Sequence, residues 1–395
     1  MTHNTQDADD QALVQRVHDF VRDTIIPYEK DARCTSHGPT EGLRKELNQL
    51  AREAGLLSVH VEKEWGGAGL NQSQRALVFE AAGYSVLGPI AMNCAAPDEG
   101  NMHLLSHVAT AQQKEKYLKP LVAGTYRSCF AMTEPKPGAG SDPGQLSTTA
   151  VWDGEAYIVS GHKWLITGAV DAGFMILMSQ VVEGEHTVGA TLFLVPLPHP
   201  AIRITRLIDS MDASFTGGHA EIAIDKLRLL PSDILGEVGK GFRYAQVRLA
   251  PARLTHCMRW LGAAQRAHDI AVTYANERTA FGMTIGQHQG IGFQLADNFM
   301  DLHVARLVTR HAAAVLDQGH KGSLESSRAK VIVSEALYRV ADRCVQVLGG
   351  MGLTTDTAIG QIFRELRAFR IYDGPSEVHR WSMARKILSA SGVKA

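Results

Sequence analysis

The sequence predicts an α+β chain of three domains: a helical N-terminal domain (residues 1–127), a middle antiparallel β-domain (128–236) and a C-terminal four-helix bundle (237–395). Three changes of texture predict it. Apolar residues recur at a helical period up to about Leu121. Short runs rich in Val, Ile, Leu and Thr then follow one another from about Phe130 to Leu230, punctuated by Gly, Asp and Pro. Long amphipathic segments with few prolines occupy the rest.

In the first part, "LRKELNQLAREAG" places Leu43, Leu47, Leu50 and Ala54 near a 3.6-residue period, and Gly55 suits the position just past a helix end. "QRALVFEAAG" closes in the same way at Gly83, and "VEKEWGGAGL" between them reads as a Gly-rich loop. In the second part, "AYIVSGHKWLITG", "FMILMSQVV", "TVGATLFLVPL", "AIRITRLI" and "HAEIAIDKLRLL" read as strands. No helical pattern alternates with them, which argues for an antiparallel barrel or sandwich over a parallel sheet. The third part divides into helical segments at about Phe242–Ala280, Gly290–Gln318, Ser323–Leu348 and Pro375–Ala390.

Composition excludes several function classes. The 395 residues are 45% apolar and 21% charged, with a formal net charge of -1, so nothing recruits nucleic acid or a membrane surface. No apolar run approaches the roughly 20 residues that span a bilayer. "MTHNTQDADDQ" is acidic and polar, unlike a signal or transit peptide. Cys34, Cys94, Cys129, Cys257 and Cys344 are scattered, with no C-x-x-C pair, so neither a disulfide framework nor a metal site is expected. A cytoplasmic, reducing compartment is.

The chain holds no G-x-G-x-x-G between a strand and a helix and no P-loop. Five other stretches carry chemistry or turns. "CFAMTEPKPGAGSDP" runs from a strand into a Gly/Pro loop whose N–H groups suit a ligand or simply solvent. "GHKWLITGAVDAG" sets Trp164 beside Thr167, as a wall for a flat ring or as a half-buried strand. "YANERTAFGMTIGQHQGIGF" puts Arg278 at a helix end, where it clamps a phosphate or complements the helix dipole. "CVQVLGGMGLTTD" follows a helix with two glycines, a cap or a backbone platform. "FRIYDGPSEVHRW" wedges Asp373 between Tyr372 and a Gly-Pro turn.

Together and in this order, these stretches resemble the FAD-dependent acyl-CoA dehydrogenases. "WGGAGL", "TAQQKEKYLKPLVAG", "AMTEP…GAGSD", "GHKWLITGA", "ERTAFGMTIGQHQ", "QVLGG" and "IYDGPSEVHR" stand where that family has its blocks, over nearly the whole chain. The resemblance implies an acyl-CoA dehydrogenase-like three-domain fold and α,β-desaturation of an acyl-CoA thioester to the trans-2-enoyl-CoA. It implies Asp373 as the base that removes the α-proton and FAD N5 as hydride acceptor. The flavin ring would meet Phe130, Met132, Thr133, Ser141, Trp164 and Thr167. The rest of FAD would meet Arg278, Phe281, Gln289, Gln346, Gly349, Gly350, Ser376 and Glu377. Ser141, Arg253, Tyr372 and Gly374 would serve the substrate. It further implies an electron-transfer flavoprotein as electron acceptor, a homotetramer or dimer, and a place in fatty-acid β-oxidation.

Three departures mark this chain. Most members carry Glu where this chain has Asp373, and Asp reaches about 1.5 Å less far. Lys136 and Pro137 lengthen the loop before Ser141 by two residues. Leu165 stands where many members place a Trp. The neighbouring readings are a nitroalkane oxidase-like or acyl-CoA oxidase activity, and a non-catalytic CoA- or flavin-binding homologue. His256 and Arg259, near Arg253 on one helix, are read equally as polar contacts to substrate or CoA and as interior hydrogen bonding.

Overall fold

A computed structural model describes residues 2–390. Its principal helices are α1 (Thr2–Phe20), α2 (Glu41–Glu53), α3 (Gln72–Ala82), α4 (Asp98–Val108), α5 (Gly241–Glu277), α6 (Gln289–Asp317), α7 (Ser323–Leu348), α8 (Ile359–Phe369) and α9 (Ser376–Ala390). Its main strands are β1 (Arg127–Ala131), β2 (Thr149–Trp152), β3 (Tyr157–Thr167), β4 (Ala172–Glu183), β5 (His186–Pro196), β6 (Ile202–Ile208), β7 (His219–Leu229) and β8 (Ile234–Leu235). The order helical, β, helical is as expected. Helix α8 was not anticipated, because it follows the "GGMGLTTD" turn and reads as loop.

The chain divides into two compact units. One comprises residues 31–69 and 90–252. Its single eight-stranded sheet runs β8-β5-β4-β2-β3-β7-β6, with β1 paired to β4 off this path. The sheet is not purely antiparallel. Both β1 and β2 run parallel to β4, while the remaining pairs are antiparallel. The reason lies in β4, whose "FMILM" core is buried on both faces as central strands of parallel character are. Phe174, Ile176 and Met178 pack with Leu104 of α4 and with Leu118 and Leu121, whereas Met175 and Leu177 pack with Val159, Ile166 and Ile222.

The other unit comprises residues up to 30, residues 70–89 and those from 253 on. Two glycines let α3 and α5 touch. A Cβ on Gly83 would lie 1.9 Å from the Arg259 carbonyl oxygen, and one on Gly262 would lie 2.0 Å from that of Glu80. No side chain fits between backbones so close. The contact is reinforced by Arg266 on Glu29 (Nη2–Oε2 2.8 Å) and by Tyr84 Oη donating to Asp269 at 2.8 Å. It fixes the stretch of α5 that carries Arg253, His256 and Arg259. Among the described residues no helix is long and apolar enough to cross a membrane.

Gly262→Ala is therefore expected to cost about 1–3 kcal/mol, the range for overpacking a filled interior. Chemical denaturation checks it, and a wild-type midpoint would refute the close-contact account.

Candidate active site

Asp373 lies in the turn between α8 and α9. Its backbone is left-handed, at φ 52°, a conformation that Asp tolerates better than most side chains. Gly374 follows at φ 100°, and a Cβ there would meet His379 Nε2 at 2.7 Å. Only glycine serves at that step. Two donors hold the Asp373 carbonyl: Arg253 Nε of α5 at 3.1 Å and His379 Nε2 of α9 at 3.2 Å. Beneath the turn, the fully buried Lys330 of α7 donates to the carbonyls of Phe369 (2.6 Å) and Gly374 (3.3 Å). Its ammonium also lies 4.7 Å from the Phe369 ring centroid.

The carboxylate also meets α5. His256 Nε2 lies 3.1 Å from Asp373 Oδ2. Arg259 Nη2 lies 3.2 Å from the other nitrogen of the same ring, Nδ1. The His256 ring is 3% exposed and packs 4.8 Å from the Tyr372 ring, whose hydroxyl accepts from Trp260 Nε1. His256 and Arg259 are thus interior, and the expectation of substrate or CoA contacts from them gives way to hydrogen bonding inside the bundle. Burial between α3 and α5 is the cause, with the Arg259 guanidinium 5.8 Å from the Phe79 ring.

Burial sets the protonation of the surrounding groups. It pushes the Lys330 ammonium down to about 8. It also lowers His379 to about 4, with Arg253 and Lys330 adding to the effect. Burial lowers Arg253 too, against the opposing charge of Asp373.

The Gly/Pro loop lies in the sheet-containing unit. Thr133 and Trp164 bind reciprocally: Thr133 Oγ1 donates to the Trp164 carbonyl at 2.7 Å, and Trp164 N to that of Thr133 at 3.1 Å. The loop is pinned by Glu134, which is fully buried with Lys163 at 2.8 Å. Glu134 also accepts from Ser147 N, Thr148 N and Ala139 N at 2.7, 2.9 and 3.1 Å. Burial pushes its carboxyl up, but the Lys163 charge and these bonds outweigh that and bring it to about 2. Thr167 Oγ1 lies 2.9 Å from His219 Nδ1. Leu165 is exposed at φ 53°, in an irregular stretch of β3. Phe130 carries the Arg248 guanidinium 4.5 Å from its ring centroid. Met132 is half-buried and Ser141 exposed.

Three family models cover the chain. The N-terminal, middle and C-terminal domains of acyl-CoA dehydrogenase match residues 7–125, 129–227 and 239–388. The chain belongs to the acyl-CoA dehydrogenase family. It is 35% identical over 391 residues to the "probable acyl-CoA dehydrogenase FadE2" of Mycobacterium tuberculosis, covering 95% of this chain and 94% of that one. It is 32% identical to the mitochondrial short-chain specific acyl-CoA dehydrogenase of Bos taurus, covering 96% and 90%. The solved butyryl-CoA dehydrogenase of Megasphaera elsdenii superposes with a TM-score of 0.85 at 27% identity, covering 96% and 98%.

Acyl-CoA dehydrogenases are flavin-dependent oxidoreductases, and their cofactor is FAD. The residues present here fit such a group. Phe281 is 93% exposed at φ 53°, which internal packing does not require. Arg278, in the same connection between α5 and α6, and Gln289, which opens α6, are exposed. At the end of α7, Gly349 and Gly350 have open space where a Cβ would stand, beside exposed Gln346. Bare backbone of this kind suits a phosphate or a ring edge, and an exposed guanidinium suits a phosphate. Ser376 is buried at the start of α9 and Glu377 exposed beside it.

The structure brings Arg253, Tyr372, Asp373 and Gly374 together and pairs Thr133 with Trp164. Sequence reasoning passed over Lys330, His379 and the Glu134–Lys163 pair. One signal was there: Lys330 sits in phase with Ser326, Ser334, Leu337 and Ala341 on the buried stripe of α7.

His379 yields a pH prediction. Its folded value near 4 lies below the ordinary 6.5, so the unfolded chain takes up the proton first. Stability from this group is present above pH 6.5 and lost as pH falls towards 4, by on the order of 3 kcal/mol. His379→Gln should flatten that part of the stability–pH curve in denaturant titrations. Parallel curves for the two proteins would contradict the assignment.

Proposed function

We propose that the chain oxidises an acyl-CoA thioester at Cα–Cβ to the trans-2-enoyl-CoA, with Asp373 as the base. The observation that carries this is the Asp373 turn: a carboxylate on a strained backbone, braced from three helices. The α-proton of a thioester is a very weak acid, so its carbonyl must be polarised as the proton leaves. In this reading the backbone N–H of Asp373 and the Gly374 turn serve the carbonyl, while the carboxylate takes the proton. Tyr372 and Ser141 line the acyl and thioester region, and Arg253 serves CoA. An apolar acyl chain displaces water and raises the basicity of the carboxylate.

FAD, when bound, supplies the acceptor at N5 for the hydride leaving the β-carbon. Phe130, Met132, Thr133, Ser141, Trp164 and Thr167 would hold its ring. Arg278, Phe281, Gln289, Gln346, Gly349, Gly350, Ser376 and Glu377 would hold the remainder. An electron-transfer flavoprotein would then collect the electrons, and the product would enter fatty-acid β-oxidation. The five free cysteines support a reducing, cytoplasmic setting.

Purified protein is expected to be yellow and to bleach when acyl-CoA is added without oxygen. Asp373→Asn should stay yellow and bleach about 10²–10⁴-fold more slowly, the usual contribution of a general base. Bleaching at the wild-type rate would sink the role of Asp373. Bleaching by nitroalkanes and by no acyl-CoA would favour the oxidase reading.

We also infer a homo-oligomer, tetramer or dimer. Phe293, Phe299, Met300, Val304 and Leu307 are all exposed along α6, more apolar surface than one helix leaves bare to water without a partner. Sedimentation should give a multiple of the 42.9 kDa chain mass. A monomer at micromolar concentration would overturn this.

A further inference from the structure

Thr167 and His219 face each other across two strands. They are register partners at the end of β3 and the start of β7. Directly opposite residues of an antiparallel pair present their side chains on one face. Thr167 Oγ1 lies 2.9 Å from His219 Nδ1. The connection from β6 to β7 returns Asp212 to the same ring, with Oδ2 3.0 Å from His219 Nε2. Gly217 and Gly218 turn that connection back at φ 77° and 55°. The His219 and Asp212 side chains are largely buried, at 12% and 7% exposure. Carboxylate, imidazole and hydroxyl thus form a chain that ends at a residue of the proposed flavin wall.

We propose that Asp212 and His219 are positioning residues that set the direction of the Thr167 hydroxyl, so that it donates to His219 and offers an acceptor lone pair to the flavin ring. This rests on the reading that Thr167 meets that ring, at N5. The direction follows from which groups can donate. Burial pushes the Asp212 carboxyl up, but its contacts with His219 and Ser210 outweigh that and hold it below the ordinary value. A carboxylate only accepts, so the ring nitrogen that faces it, Nε2, carries a proton. A neutral imidazole holds one ring proton, which leaves Nδ1 as an acceptor. The Thr167 O–H donates to it, and a hydroxyl has one proton to give. The lone pairs that remain on Oγ1 can only accept.

Polarity decides which flavin state such an oxygen serves. N5 of the oxidised ring is a bare acceptor, and N5 of the reduced ring carries an N–H. An oxygen whose proton is committed elsewhere bonds the second and not the first. The three residues thereby favour the reduced cofactor, and with it the forward direction of the proposed desaturation. A threonine without that partner turns its hydroxyl to suit either state and favours neither.

A cross-strand pair that serves stability alone makes different predictions. The readout is the flavin midpoint potential, from reductive titration of the FAD-loaded protein against a reference dye without oxygen. It is taken at about pH 8.5, above the ordinary imidazole value. His219→Phe should keep its flavin and lower the equilibrium constant for reduction about tenfold, within the range for one hydrogen bond. That is about 30 mV for a two-electron couple. Thr167→Val should lower it by a similar amount. In the Thr167→Val background, His219→Phe should lower it no further. His219→Leu replaces the Phe variant should that fail to fold. With the Thr167→Val shift present, a wild-type potential in the His219 variant would overturn the proposal. So would an equal shift from that variant in the Thr167→Val background, because His219 would then not act through Thr167. Absence of the Thr167→Val shift would remove Thr167 from N5, a distinct failure of the reading beneath the proposal that takes the proposal with it.

Discussion

The left-handed backbone of Asp373 is the constraint on which the site depends. Such a conformation costs on the order of 1–3 kcal/mol and persists only where the surroundings over-determine it. Here α5 and α9 each give a donor to the Asp373 carbonyl, α7 gives a buried ammonium to the carbonyls on either side, and Gly374 makes the following step possible. The turn is held through its carbonyls.

The same bracing poses an electrostatic problem. Arg253, Lys330, His379 and His256 surround one carboxylate, and four full positive charges would hold it firmly ionised and make it a poor base. The bundle eases the conflict by burial. His379 is kept neutral at about 4, and Lys330 falls to about 8, within reach of neutralisation.

Much of this was legible in the sequence, unevenly. The helical–β–helical order followed from periodicity, and the long helices ended within a few residues of expectation. The parallel pairings of β1 and β2 with β4 were not legible, because an apolar run such as "FMILM" does not say which neighbours it takes. At the site, Asp373 and Arg253 stood out through motif resemblance. His256 had two equal readings, because no periodicity tells whether a histidine on a half-buried helix faces a ligand or a carboxylate 117 residues away. Lys330 was hidden for a related reason: a lysine in core phase looks like a pattern fault until the carbonyls it serves are known. Polar groups that act through long-range backbone contacts leave little trace in local sequence.

The central claim is the proposal that the Asp373 carboxylate takes the substrate α-proton. A crystal structure of the FAD-loaded protein with a non-reactive acyl-CoA thioether tests it most directly. The account predicts an Asp373 carboxylate oxygen about 3–3.5 Å from the carbon that replaces the substrate α-carbon. An Asp373 carboxylate turned away from that carbon would contradict it.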